Sequence, residues 1–483
     1  MPMVLKLTNT MSGKKEIFKP LKKGKVKIFV CGMTDYDYMH LGHGRTYAFY
    51  DALIRVLKFL GFKVYYIQNI TDVGHLREDT GEDRVIRKAI EEKKDPMEVV
   101  DFYMRKHLEA ADELKLERPN ILARATGHMI EIIEQVKALL KNGYAYEANG
   151  SVYFDVSKFK DYGKLSKRVP KELTAGARVG VHPDKKDPRD FALWIKAPEA
   201  HVLKWPSPWG LGYPGWHIED TAIAMKYFGA QYDIHGGAID LAFPHHEAEI
   251  AQAEGTTGIK PYVRYWVHTG LLTIDGEPMS KSRGNYIKLL DVLEEHSPEA
   301  LRLWMASANY RKPLDYSIKD LEDAEKNLEK ISNVLELIEE NSAKPPEKKP
   351  TFVKDIQGLE KQFIEHMEDD INTPHALAAF WQLISLVNKK IDENDYSKED
   401  LETAKETIVK LGDFFQIIPK RKEKIDEKIV TDLINFLIEL RQKFRDKEDY
   451  ETSDEIRKKL RELGITFEDT LEGVKWRIKA RKT

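Results

Sequence analysis

Two short motifs hold the side chains best suited to chemistry on phosphate. They are His40-Leu41-Gly42-His43 and Pro278-Met279-Ser280-Lys281-Ser282-Arg283-Gly284-Asn285. Histidines three residues apart on a helix face the same side and can donate to phosphoryl oxygens, while Gly42 lets a ligand approach the backbone. A lysine among small, hydroxylated residues and a glycine is a point charge matched to pyrophosphate. Each motif has an ordinary alternative. Paired histidines at a helix start also act as caps, and a Ser/Lys/Gly segment is also a plain solvent loop.

The surrounding periodicity says what must position them. Val26–Val30 reads as a buried strand, and apolar residues then recur at helical spacing from His43 to Leu60, where Gly61 ends the run. Val64–Ile67 gives a second strand. This βαβ unit predicts a parallel sheet and sets His40 and His43 at a helix N-terminus, where free N–H groups favour phosphate. Asp233-Ile234, a helix over Glu247–Glu254 and Tyr262–Thr269 predict a second such unit. Between the two lies a polar segment with a hairpin over Gly143–Tyr153. After Asn285 the pattern becomes wholly helical, broken by Lys344–Pro350 and again by Pro419–Lys424. The expected fold is α/β. A Rossmann-like catalytic domain in two halves (1–118 and 209–265) is interrupted by an insertion (119–208). It is followed by a stem-contact region (266–340), a helical bundle (341–420) and a small C-terminal domain (421–483).

In this order and separation the two motifs resemble the HIGH and KMSKS signatures of class I aminoacyl-tRNA synthetases. The resemblance narrows to the cysteinyl-tRNA synthetases through Cys31–Asp37, Asn69–Val73, Gly215–Glu219, Asp233–Gly237, Phe243–Glu247 and Asp370–Pro374, and spans about Lys27 to Arg477. It implies ATP-dependent activation of L-cysteine and transfer to the terminal ribose of tRNA(Cys), usually to the 2′-hydroxyl in this class. It implies His40, His43 and Lys281 as catalytic residues, with Gly42, Gly236, Gly237 and Lys281 at ATP. The resemblance also implies that Thr71, Trp216 and His235 line the amino-acid pocket, with plain core packing the rival for Trp216.

The family also holds one Zn2+ that binds the substrate thiol, and its ligand positions fall here on Cys31, Asp220, His245 and Glu249. Asp220 stands where the family has cysteine. An Asp carboxylate is an accepted zinc ligand and keeps one negative charge in the shell. The alternative is that Asp220 caps a helix over Thr221–Phe228. His245 and Glu249 at four-residue spacing share a helix face, a geometry suited to gripping one metal.

Composition bounds the rest. The 483 residues predict roughly three domains. The chain is 42% hydrophobic and 33% charged and has no apolar run of the ~18 residues that span a bilayer, so no membrane role is expected. One cysteine excludes a disulfide framework and points to the cytoplasm. Acidic residues (80) and basic residues (77) nearly cancel, so an RNA partner must be read from local patches. The end supplies one: helices over Asp432–Leu463, then Lys475-Trp476-Arg477, an aromatic flanked by cations suited to single-stranded RNA. A monomer using Mg2+ with its ATP is expected, with no editing domain in so short an insertion. Two rivals remain. A cysteine ligase acting on an amino-sugar would share the signatures but lack the RNA-binding end, and an inactive RNA-binding paralogue would have lost them.

Overall fold

The computed structural model describes residues 4–74, 83–167, 184–199, 201–279, 284–343, 345–419, 427–463, 465–470 and 473–478. The chain divides into two units, Met1–Pro419 and Lys420–Thr483. In the first, a hairpin of β1 (Lys6–Asn9) and β2 (Lys14–Ile17) precedes β3 (Lys25–Val30), α1 (Leu41–Phe59) and β4 (Lys63–Ile70). Ile28 and Phe29 point to opposite faces of β3, and both are fully buried. Both faces of the sheet are therefore covered, as parallel strands require. After α2 (Arg84–Glu92) and α3 (Pro96–Glu113) come β5 (Ile121–Arg124) and α4 (Met129–Lys141).

The insertion is an antiparallel sheet of β6 (Ala145–Ala148), β7 (Ser151–Phe154), β8 (Phe191–Lys196), β9 (Trp205–Ser207) and β10 (Gly210–Pro214), in the order β6-β7-β8-β10-β9. The expected hairpin is β6–β7. Phe154 stacks on Phe191 at 4.9 Å inside it. The chain then returns through α5 (Ile218–Phe228), β11 (Tyr232–Ala238), α6 (His245–Thr257) and β12 (Val263–Thr269). The main sheet is parallel throughout, in the order β12-β11-β3-β4-β5.

Two expected boundaries move. The edge strand β5 lies within 119–208 yet pairs with β4, and β10 lies within 209–265 yet pairs with β8. Hydrogen bonding across strands decides membership, and single-strand periodicity does not report it.

Beyond the sheet, β13 (Leu272–Ile274), β14 (Glu277–Pro278) and β15 (Leu314–Tyr316) form a small mixed sheet, with α7 (Leu289–Glu295) and α8 (Pro298–Ala306) between β14 and β15. The region after Asn285 is thus not wholly helical. The helices α9 (Ile318–Ser342), α10 (Val353–Glu368), α11 (Thr373–Asp392) and α12 (Lys398–Asp413) pack together around Phe363, Phe380 and Leu401. The bundle therefore starts near Ile318, ahead of the expected 341. Ser397 and Asp400 cap α12 reciprocally.

The second unit holds α13 (Glu427–Asp446), α14 (Tyr450–Glu462) and a hairpin of β16 (Ile465–Thr470) and β17 (Gly473–Ile478). Its small core is Ile434, Ile438 and Leu460, and Trp476 packs against it with Nε1 donating to Asn435 Oδ1 at 2.9 Å. Among the described residues no helix is long and apolar enough to cross a membrane.

Candidate active site and metal centre

Strand order reverses between β3 and β11. The chain runs outward from β3 through β4 to β5, then restarts on the other side with β11 and β12. A crevice outside the carboxyl ends at such a switch point is where open α/β sheets bind ligands. Cys31 follows the last residue of β3 there and is tied to β11, its N–H donating to the Gly236 carbonyl at 3.0 Å. Gly32 follows because a Cβ at that position would meet the Asn69 carbonyl oxygen at 1.7 Å.

A buried cluster of metal-binding side chains converges on Cys31. Its Sγ lies 3.3 Å from Asp220 Oδ2, 3.1 Å from His246 Nε2 and 3.3 Å from His235 Nε2. His245 Nε2 lies 3.2 Å from both Asp220 Oδ2 and Glu249 Oε1. Tetrahedral zinc with bonds of about 2.0–2.3 Å holds its ligand atoms roughly 3.3–3.8 Å apart, so these donors stand at nearly that separation. Cys31, His245, His246 and Glu249 can all place donor atoms within 4.8 Å of one another.

The electrostatics favour a cation. Burial pushes the Cys31 thiol well up, and the Asp220 and Glu249 carboxylates push it further. Burial and Asp220 likewise raise Glu249, and neither Glu249 oxygen has a hydrogen bond. A sulfur, imidazoles and carboxylates that repel one another when ionised are reconciled by a borderline-soft divalent ion, which fits zinc.

Asp220 belongs to this cluster and is not a cap. The helix begins at Ile218 with His217 in the capping position, which places Asp220 inside the first turn. Its second oxygen accepts from Asn69 Nδ2 at 2.6 Å, and Asn69 also donates to Thr71 Oγ1 at 3.3 Å. Thr71 is thereby held beside the cluster. His246, the second of the histidine doublet, is the neighbour that sequence reasoning passed over. Its ring is fixed by His268, with Nδ1 and Nε2 2.8 Å apart. His235 is fixed in a similar way: its Nδ1 pairs with the Tyr232 phenol, and its Nε2 faces Cys31. Burial also holds His235 and His246 neutral. Trp216 is not core: it is 40% exposed and stacks on His245 at 4.5 Å.

At the start of α1 the signature histidines cap the helix reciprocally. His40 Nδ1 accepts from the His43 N–H at 3.2 Å, and His43 Nδ1 faces the His40 N–H at 3.4 Å. A neutral ring that accepts at Nδ1 carries its proton on Nε2, a donor suited to a phosphoryl oxygen. The rings stack 3.5 Å apart. Gly42 sits beneath, where an added Cβ would lie 3.1 Å from the His40 ring. Lys281 lies outside the described residues, but described residues on either side of it meet this helix start. Met279 approaches Gly42, and Leu41 donates to the Ile287 carbonyl at 3.0 Å. Gly236 and Gly237 lie within β11. A Cβ at Gly236 would strike the Tyr50 ring at 2.3 Å, so close packing of α1 accounts for that glycine.

Residues 17–326 match the family described as tRNA synthetases class I (C) catalytic domain, and residues 362–418 match the DALR domain. A protein of Thermus thermophilus named cysteine–tRNA ligase is 44% identical over 99% of this chain and all of its own length. One of the same name from Chlorobium chlorochromatii is 43% identical over 99% of this chain and all of its own length. Among solved structures, methionyl-tRNA synthetase of Mycobacterium tuberculosis with methionyl-adenylate superposes with a TM-score of 0.60. It covers 82% of this chain and 90% of its own at 13% identity, a likeness of fold alone.

Proposed function

The chain belongs to the cysteine–tRNA ligase family of class I tRNA synthetases, and from that premise we propose how its own residues carry the two steps and select the substrate. The enzyme activates L-cysteine with ATP and passes it to tRNA(Cys). The observation that carries the selective step is the buried set Cys31, Asp220, His245, His246 and Glu249 at the sheet's switch point, beside the start of α1. Cys31, Asp220, His245 and Glu249 would hold zinc, which would supply a thiophilic Lewis acid for the substrate sulfur that the hydroxyl of serine matches poorly. Trp216 roofs His245 at the mouth, and His235 and Thr71 line the floor. A site built on one specific polar contact can discriminate by about 10⁴–10⁵ without a separate editing reaction.

In the first step the cysteine carboxylate attacks the α-phosphorus of ATP, one C–O–P bond forms, and the bond to the β-phosphate breaks to release pyrophosphate. The nucleophile is already an anion, so no strong general base is needed. Catalysis falls to positioning and to charge stabilisation. His40 and His43 donate to the phosphates from Nε2, Gly42 admits them to the backbone at the start of α1, and Lys281 meets the leaving pyrophosphate with Mg2+. Gly236 and Gly237 serve the nucleotide site from behind, letting Tyr50 and Leu241 pack closely against β11. In the second step a terminal ribose hydroxyl of tRNA(Cys) displaces AMP. Residues 421–483 serve the anticodon end. The reading takes the enzyme as a monomer in a cytoplasmic setting, where the lone thiol stays reduced.

Cysteine-dependent ATP–pyrophosphate exchange followed by charging of tRNA(Cys), with zinc analysis of the purified protein, tests the scheme. Exchange without charging would favour the amino-sugar ligase, and a zinc-free active enzyme would remove the selective mechanism.

A further inference from the structure

The segment that joins Cys31 to His40 carries a carboxyl group that the scheme above leaves without a task. Asp35 is 0% exposed, and neither of its oxygens has a hydrogen bond. Its nearest basic group is His107 of α3, 3% exposed, with Nδ1 3.5 Å from Asp35 Oδ1 and likewise without a hydrogen bond. Burying an acid with so little compensation costs stability, so a purely structural explanation is poor.

What His107 touches supplies a better one. Its ring is nearly parallel to that of Tyr47, at 6.0 Å and 11°. Tyr47 is parallel to His43, at 6.4 Å and 19°, and His43 lies on His40. Four flat rings thus run in file from the Asp35–His107 pair to the phosphate end of α1. Tyr47 has a second tie, its phenol donating to the carbonyl of Cys31 at 3.2 Å. One side chain therefore touches both the metal-binding residue and a signature histidine, and the buried pair stands directly behind it.

We propose that Asp35 and His107 are positioning residues for the activation step, setting Tyr47 and, through it, the orientation of His43 and the backbone of Cys31. The pair is placed for this work because it bridges two elements that could otherwise move separately. Asp35 rides on the loop after β3, while His107 rides on α3, outside the sheet. A ring-file held at its far end restricts the tilt of His43, and sub-ångström tilt of a phosphate donor is enough to alter a rate.

The proposal rests on the reading of His43 as a phosphate donor, so His43→Asn is measured beside the new variants. Asp35→Asn removes the charge at nearly constant shape. His107→Phe keeps a flat ring for the file and removes the pairing nitrogen. ATP–pyrophosphate exchange and thermal melts are recorded for these, for the double variant and for the parent. Each single variant should lower kcat about tenfold with the KM for cysteine within about twofold. The double variant should lose no more than the singles, because the two act as one unit. Asp35→Asn, which relieves a poorly compensated buried acid, should melt no lower than the parent. Parental kcat in either single variant, a multiplied loss in the double, or a rate loss that follows the melting temperature would overturn it. A crippled His43→Asn beside a silent Asp35→Asn rejects the pair alone. Undiminished exchange in His43→Asn removes the phosphate reading and this proposal with it.

Discussion

Asp220 Oδ2 lies 3.3 Å from Cys31 Sγ, although the two residues are 189 positions apart. The same oxygen lies 3.2 Å from His245 Nε2, and the other oxygen accepts from Asn69. A carboxylate thus stands inside the donor set, between a thiol and an imidazole.

Asp220→Asn separates charge from shape at that position. Since His217 occupies the capping position, the amide costs little helix stability, while its lost charge should lower zinc affinity at least about tenfold. Asp220→Cys supplies a thiolate and should keep both metal and exchange activity. Zinc per chain, measured after dialysis against a weak chelator, decides between them. Full occupancy in Asp220→Asn would take Asp220 out of the metal site.

Trp216→Ala should raise the KM for cysteine about tenfold while leaving zinc content unchanged, because the indole lies over His245 at the open side of the cluster. Its partial exposure limits any loss of melting temperature. Steady-state exchange at varied cysteine is the check, and an unchanged KM would mean that the ring does not border the substrate.

Lys281→Ala should slow adenylate formation far more than it weakens cysteine binding, since a charge aimed at a leaving group acts as charge develops. Pre-steady-state exchange gives both quantities. Equal losses in rate and in cysteine affinity would refute the assignment.

Removing residues 420–483 should abolish tRNA(Cys) charging and spare cysteine-dependent exchange, because the first unit contains every proposed catalytic and metal-binding residue. A cut at 464 would be less informative, since it strips Trp476 from the small core around Ile434 and Ile438. Joint loss of both activities in a folded fragment would argue against separable roles.

Asp51 provides an acid-sensitive clasp. Burial opposes its ionisation, but Arg302 and Arg55 outweigh that and hold the carboxyl below its ordinary range. Arg302, lowered by burial yet still charged, also donates to the Phe415 carbonyl at 2.5 Å and the Leu114 carbonyl at 3.2 Å, so the ion pair joins α1, α8 and the bundle. A carboxyl depressed on folding contributes stability above its unfolded pKa of about 3.9, and that stability is lost as pH falls through the folded value. Asp51→Asn should therefore cost about 3–5 kcal/mol near pH 7, and the deficit should shrink below about pH 4. Denaturant melts at the two pH values measure it, and a deficit independent of pH would contradict the ion pair.

Much of this enzyme is local information. The spacing of apolar residues in α1, the strand of Val26–Val30, the order of HLGH before PMSKS and the doublet His245-His246 can all be read along the chain. They depend on neighbours within a few residues, and short-range periodicity is what sequence displays directly. Tertiary structure decided the rest. Pairing of β11 with β3 brings His235 and Gly236 beside Cys31. The angle at which α5 starts puts Asp220 inside the donor set instead of at a cap. His246 turns toward the thiol because His268, from β12, holds its far nitrogen. β5 joins the catalytic sheet through hydrogen bonds to β4 that no pattern within 121–124 announces. Each of these depends on contacts between residues distant in sequence, and those contacts exist only after the sheet has chosen its order.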